Sequence, residues 1–183
     1  MQYLVFHNEP HWRRAINKNQ RRSPLFREWL SYKGSLTKKL KHHANGDFRV
    51  ELLFQGFQKV SFSEQRSLRL STRRWALVRE VALWVKGSVW VYARTVIPLS
   101  TLKGKLGVLQ NLGNRPLGEQ LFANPTMQRE AMMFATVTSN HLPAALSQCK
   151  PLGGRRTLFK LNHKPLLVCE IFLDAIEKIA STI

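Results

Sequence analysis

The stretch from Trp75 to Pro98 limits the fold more than any other. Trp75–Val85 is a long, mostly apolar run rich in β-branched and aromatic residues. Lys86–Gly87 reads as a turn, and Ser88–Pro98 returns as the partner strand. A second hairpin is expected near the C-terminus, Arg155–Leu161 and Leu166–Leu173, about the turn Asn162–His163–Lys164. Upstream, Phe48, Val50, Leu52 and Phe54 alternate with Arg49, Glu51 and Gln55, as in a half-buried strand. Helices are expected at the ends. Ser23–Pro24 is an N-cap followed by proline at the first helical position, and Leu25, Phe26, Trp29 and Leu30 share one face before Gly34 stops the helix. Ser35 caps a short helix from Leu36 to about His43, ended by Asn45–Gly46. Gly104 and Gly107 mark a loop, Leu109–Leu112 and Glu119–Phe122 read as short helical pieces, and Asp174–Ile179 as a closing helix. Thr126–Thr138 fits helix and strand equally well. Hairpin-joined strands with helices at the ends predict an α+β domain built on a single antiparallel β-sheet flanked by helices.

With 183 residues there is room for one domain. Residues 1–22 are expected to be a basic N-terminal segment and residues 23–183 the domain proper. Hydrophobic residues at 44% and charged residues at 22% are an ordinary globular balance, which argues against disorder. Two cysteines, Cys149 and Cys169, are too few for a disulfide framework, and there is no CxxC or HExxH, so no metal site is expected. The longest uncharged stretch, Ala131–Cys149, holds Thr136, Thr138, Ser139, Asn140 and His141, too polar for a membrane span. The N-terminus lacks the apolar core of a secretory signal, so the expected compartment is the cytoplasm.

Lysine plus arginine is 29 and aspartate plus glutamate 11, a formal charge of +18. Such a balance attracts nucleic acid, an anionic membrane surface or a small anionic substrate. The cations are scattered: Arg13–Arg14, Arg21–Arg22, Lys38–Lys39, Lys41, Arg73–Arg74 and Arg155–Arg156. No recognition helix, RNP signature or zinc-finger spacing gathers them, so no specific nucleic-acid partner is expected.

Sorting the strands by face isolates a few charges in apolar company. Alternation places Trp90, Tyr92, Arg94 and Val96 together, and Leu166, Val168, Glu170 and Phe172 together. A buried charge has to be paired, hydrogen-bonded or bound to a ligand. Either Arg94 and Glu170 neutralise each other inside the sheet, or both face a ligand. Arg79 sits likewise among Leu77, Val81 and Leu83. The run Leu112-Gly113-Asn114-Arg115-Pro116-Leu117-Gly118-Glu119 places glycines and a proline ahead of a helical piece. Free N–H groups there could receive an anion, or it is an ordinary tight loop. No GKS or GKT follows, so it is not a P-loop. Ser100–Thr101 has no histidine at a motif spacing, His42–His43 reads as a solvated helix end, and Cys169 and the set Trp75, Trp84 and Trp90 as core.

These segments resemble the chorismate lyase family. The matching runs include Trp29-Leu30, Gly34-Ser35-Leu36-Thr37, Arg79-Glu80-Val81, Trp90-Val91-Tyr92-Ala93-Arg94-Thr95-Val96-Ile97-Pro98 and Ser100-Thr101-Leu102. They continue with Leu112 to Gly118, Leu121-Phe122 and Lys164-Pro165-Leu166-Leu167-Val168-Cys169-Glu170-Ile171-Phe172-Leu173. Their order and approximate spacing follow the family from about residue 23 to the C-terminus. The resemblance implies a sheet whose ligand is enclosed under helical flaps. It also implies conversion of chorismate to 4-hydroxybenzoate and pyruvate for ubiquinone biosynthesis, with no cofactor, by a monomer. It implies that Arg94 holds the ring carboxylate, that Leu117 offers a backbone contact, that Glu170 faces the other end of the ring and that Leu36 lines the site.

These roles suit the chemistry. A guanidinium grips a planar carboxylate in two-pronged fashion. Flanked by Val168 and Phe172, Glu170 is open to a general-acid role toward the leaving oxygen or to a hydrogen bond with the 4-hydroxyl. Internal transfer of the ring hydrogen to the enolpyruvyl methylene is the competing mechanism. Two other functions fit less of the sequence: a non-enzymatic effector domain of the same fold, and a basic nucleic-acid-binding protein. The excess charge suggests transient contact with an anionic membrane.

Overall fold

A computed structural model describes residues 9–16, 23–71, 75–147 and 150–178. Cys149, Arg21, Arg22, Arg73, Arg74 and the expected helix end at Ile179 lie outside the described residues.

The sheet predicted from hairpin periodicity is present. Its strands are β1 (Phe48–Lys59), β2 (Trp75–Val85), β3 (Ser88–Pro98), β4 (Gln128–Arg129), β5 (Met133–Val137), β6 (Leu152–Leu161) and β7 (Lys164–Phe172). Every pairing is antiparallel; the order is β1-β2-β3-β7-β6-β4, with β5 also on β6. Strands β2 and β3 have the bounds predicted from sequence, and β1 runs five residues past Phe54. Thr126–Thr138 resolves into β4 and β5, short strands that end a sheet rather than helix. At the second hairpin Asn162 and His163 both adopt positive φ, 48° and 63°, so the turn is one residue tighter than expected and Lys164 already belongs to β7.

Two helices begin as their caps require. In α1 (Pro24–Ser31) the Ser23 side chain accepts from Phe26 N, and in α2 (Leu36–Ala44) Ser35 accepts from Lys38 N. Asn45 and Gly46 close α2 at φ 48° and 97°. The loop expected at Gly104–Gly107 is a 3-10 helix, Gly104–Asn111. A helix the sequence reading missed, α3 (Phe62–Leu68), opens with a full capping box, Ser61 and Glu64 satisfying each other's backbone N–H. Its spacing, Ser-x-x-Glu, stands in residues 56–74, between the Phe48–Gln55 alternation and Trp75, a stretch the sequence reading left unassigned. The chain adds α4 (Leu117–Ala123) and α5 (Ala175–Lys178).

The sheet's two faces carry separate cores. On one face α1 and α2 pack Phe26, Trp29, Leu36 and Leu40 against Val81, Leu83, Ala93 and Phe172. Beside them the 3-10 helix and α4 pack Leu106, Leu109, Leu117 and Leu121 against Leu77, Phe159 and Val168. The opposite face is covered by α3, whose Leu68 meets Val78, Val96 and Leu167, and by Leu142 against Tyr92 and Ile171. Residues 9–16, which the sequence placed in the basic N-terminal segment, contribute there too. Arg13 bridges Phe134, Glu9 accepts from Ser63 N, and Trp12 stacks on the Arg156 guanidinium.

The face assignment for β3 needs one correction. The β2–β3 ladder shifts register after Leu83, inserting Trp90 as an extra residue. The bulge turns Trp90 to the side of Val91 and Ala93, where it meets Trp29 edge-on at 5.8 Å. Tyr92, Arg94 and Val96 keep the other side.

Arg94 is therefore on the α3 face. Its Nε donates to Glu64 Oε1 at 2.8 Å and its Nη1 to Glu80 Oε1 at 2.6 Å, all three side chains buried. This overturns both expectations for Arg94, as a ligand-holding residue and as the partner of Glu170. Ala93, not Arg94, lies opposite Glu170 in the β3–β7 ladder, so the two side chains leave by opposite faces. Burial alone would raise the Glu64 carboxyl, but the charge and hydrogen bonds of Arg94, with those from Ser61, more than offset it and leave its pKa lowered.

Removing one member of such a cluster strands the others. Arg94→Met should lower unfolding free energy by about 3–5 kcal/mol in urea titrations. Because Glu64 is more acidic folded than unfolded, its contribution is present above the ordinary value of 4.5 and is lost as pH falls through the lowered one. Acid unfolding monitored by circular dichroism should therefore shift to lower acidity requirement, that is to higher midpoint pH, in Glu64→Gln.

Candidate functional site

The cavity lies where the two cores of the first face meet. Its floor is the sheet: Arg79, Val81 and Leu83 of β2, Ala93 and Thr95 of β3, Val168 and Glu170 of β7, Arg155, Thr157 and Phe159 of β6. Its cover is Gly34 to Thr37 at the start of α2, with Val50, and Pro116 to Gly118 at the start of α4, with Leu121 and Phe122. The cover closes because α4 presses on α2. A Cβ on Gly118 would stand 2.7 Å from Thr37 Oγ1, so the approach requires glycine. Lys41 of α2 and Glu119 of α4 form an exposed ion pair at 2.5 Å over the same seam.

Of the residues predicted from sequence, Leu36, Leu117 and Glu170 line this cavity and Arg94 does not. The arginine on β2, Arg79, occupies the place expected of Arg94. The error has a physical source. Both sit in apolar alternation, and nothing in either strand's own pattern shows which face a covering helix will supply with carboxylates. Glu64, on the unpredicted α3, decided it.

Arg79 is 2% exposed and faces no carboxylate within ion-pair distance among the described residues. Its Nη2 donates to the carbonyls of Gly113 and Arg115 at 2.9 and 3.0 Å, fastening the loop ahead of α4 to the floor. Its Nε has no hydrogen-bond partner among the described residues. Burial without a counter-charge pushes its pKa down to about 10, the mark of a cation that an anion would relieve.

Glu170 is different. Its Oε2 accepts from Arg155 Nε at 2.5 Å, while Arg155 Nη1 also donates to the Tyr32 carbonyl at 2.7 Å and so ties the end of α1 to the sheet. A third guanidinium, Arg129 of β4, lines the cavity near this pair, with no hydrogen-bond partner among the described residues. Burial and the charge of Arg155 lower its pKa. Sequence reading missed Arg129 because it lies in the stretch left open between helix and strand. Arg155 was visible as part of a basic pair, without a role.

The charged groups lining the cavity are thus three arginines and one glutamate. Three positive charges less one negative leave two, on Arg79 and Arg129. Arg79 and Glu170 stand two strands apart, about 10 Å across the sheet, with apolar walls between them. This geometry accepts a flat, small molecule with an acid at one end, a hydrogen-bonding group at the other, and a second acid to the side. Among the described residues no group of three or more histidine, cysteine or acidic side chains could hold a metal.

A Methylococcus capsulatus protein named "Probable chorismate pyruvate-lyase" is 41% identical over 81% of this chain and 94% of its own length. A Pseudomonas fluorescens protein named "Probable chorismate pyruvate-lyase 2" is 36% identical over 92% of each chain. Among solved structures, the effector domain of PhnF from Mycobacterium smegmatis has a similar fold, with a TM-score of 0.56 at 14% identity over 76% of this chain and 88% of that one. No helix among the described residues is long and apolar enough to cross a membrane. The chorismate lyase family profile matches residues 6–181, and the chain belongs to that family.

Proposed function

We propose that this protein is a chorismate pyruvate-lyase, a carbon–oxygen lyase that releases pyruvate from chorismate to give 4-hydroxybenzoate. The carrying observation is the charge of the cavity: two guanidiniums in excess, for a substrate with two carboxylates. In this reading Arg79 holds the ring carboxylate, helped by the backbone at Leu117, and Leu36 and Val81 press on the ring faces. Glu170 stands at the 4-hydroxyl, its Oε2 occupied by Arg155 and its Oε1 left to accept the hydroxyl proton's hydrogen bond. Arg129, beside Glu170, receives the carboxylate of the enolpyruvyl group, which is attached to the ring carbon next to the hydroxyl. In this reading the protein acts as a monomer in the cytoplasm, and its product feeds ubiquinone biosynthesis.

The chemistry asks little more of the protein than a fixed pose. The ether C–O bond breaks and its oxygen becomes the keto oxygen of pyruvate. The hydrogen on the hydroxyl-bearing ring carbon moves to the enolpyruvyl methylene, making the methyl group, and the ring becomes aromatic. Cations at both carboxylates stabilise charge that shifts toward the departing group, and the α2–α4 cover excludes water. The single carboxyl in the cavity already takes a hydrogen bond from Arg155, so it serves as acceptor and the ring hydrogen moves internally.

Incubation with chorismate, followed by 4-hydroxybenzoate absorbance, tests the activity; no product above the spontaneous rate would exclude it. Arg79→Met should lower kcat/KM by roughly 10- to 150-fold, as expected for about 1.5–3 kcal/mol of charge-assisted hydrogen bonding, whereas Arg94→Met should lower stability first. Arg129→Gln should raise KM for chorismate while leaving 4-hydroxybenzoate affinity unchanged, because the product lacks the second carboxylate. If both affinities fall together, Arg129 does not read that group. In D2O, rapidly quenched turnover should give pyruvate without deuterium in its methyl group; one deuterium per methyl would mean protonation from solvent.

A further inference from the structure

The charge of +18 far exceeds what one dianionic substrate needs, and the structure shows where part of it is displayed. From Leu52 to Leu117 the chain has eleven lysines and arginines and two carboxylates, Glu64 and Glu80. Both carboxylates are buried against Arg94. The surface built by this segment therefore presents cations with no exposed acid among its described residues.

The same region exposes large apolar side chains at one end of the sheet. Phe57 is 48% and Trp75 50% exposed, and Leu99 47%. The register brings them together. Lys59 lies opposite Trp75 and Phe57 opposite Leu77, so Phe57 and Trp75 are diagonal neighbours on one face. Leu99 follows directly on the Ala76–Pro98 pair, next to Trp75. Exposed lysines flank the cluster: Lys59 on β1, and Lys103 and Lys105 at the start of the 3-10 helix whose Leu106 and Leu109 pack beneath, on Leu77 and Ile97.

We propose that this sheet end is a docking surface for an anionic lipid bilayer. Trp75 and Phe57 would enter the interfacial zone, where aromatic rings gain from an apolar body and a wet rim, while Lys59, Lys103 and Lys105 meet lipid headgroups. The net charge supplies the complementarity, and the described residues of Leu52–Leu117 add no exposed carboxylate to oppose it. Phe57, Trp75 and Leu99 are not among the residues that line the cavity, whose cover comes from α2 and α4, so docking would leave that cover free. The inference does not depend on the reading of the active site.

The test is co-sedimentation of the full chain with vesicles of phosphatidylcholine alone and of phosphatidylcholine mixed with phosphatidylglycerol, at low and moderate salt. Binding should require the anionic lipid. The double variant Phe57→Thr and Trp75→Thr, which keeps strand propensity and replaces no cavity residue, should reduce partitioning at least tenfold with unchanged circular dichroism. No binding to anionic vesicles overturns the proposal. Equal binding by the double variant also overturns it, since charge alone would then suffice. If light scattering shows a dimer that the double variant dissolves, the occupant is a second copy and the proposal falls.

Discussion

A pleated strand sends successive side chains to opposite faces, and in β2 the successive residues Arg79 and Glu80 use that rule to divide the molecule's charge. Glu80 goes to the face where α3 supplies Glu64, and the two enclose Arg94. Arg79 goes to the face where no acid meets it. The difference between an arginine locked among carboxylates and one left to line the cavity is thus a matter of one residue's offset in a ladder, and of which helix covers which side. A slip of one position in the β2–β3 pairing would exchange the two environments, and the bulge at Trp90 falls outside the segment that carries them.

The cavity is a small polar system set in an apolar one. Its walls contribute shape, and its few charges contribute direction. Arg155 neutralises Glu170 and secures the end of α1, so that pair is already satisfied without a ligand. Arg79 and Arg129 are not. A neutral ring of the same size would fill the volume but leave two buried or half-buried guanidiniums without an anion, so selectivity follows from what the protein leaves unmatched.

Much of this was legible in the chain. The strands β2 and β3, the caps at Ser23 and Ser35 and the faces of β7 follow from local alternation and side-chain oxygens, which are properties of neighbours in sequence. The placements of Leu36, Leu117 and Glu170 followed from the family resemblance together with those faces. What escaped was set by distant partners. The pairing of Arg94 depended on Glu64, 30 residues earlier in the chain and on a helix the sequence reading had not assigned. Arg129 sits on a two-residue strand that exists because β6 offers it an edge. The bulge at Trp90 carries that ring to Trp29 of α1, a contact that no period within β3 announces.

The double fastening of the Gly113–Arg115 carbonyls to Arg79 has a consequence for how that side chain can be replaced. A planar guanidinium can point one nitrogen at two carbonyls and still turn a flat edge toward a carboxylate. An ammonium group carries the same charge on a compact, tetrahedral head. Lysine at this position would have to choose between tethering the lid loop and greeting the acid, so charge conservation there would not amount to conservation of the site.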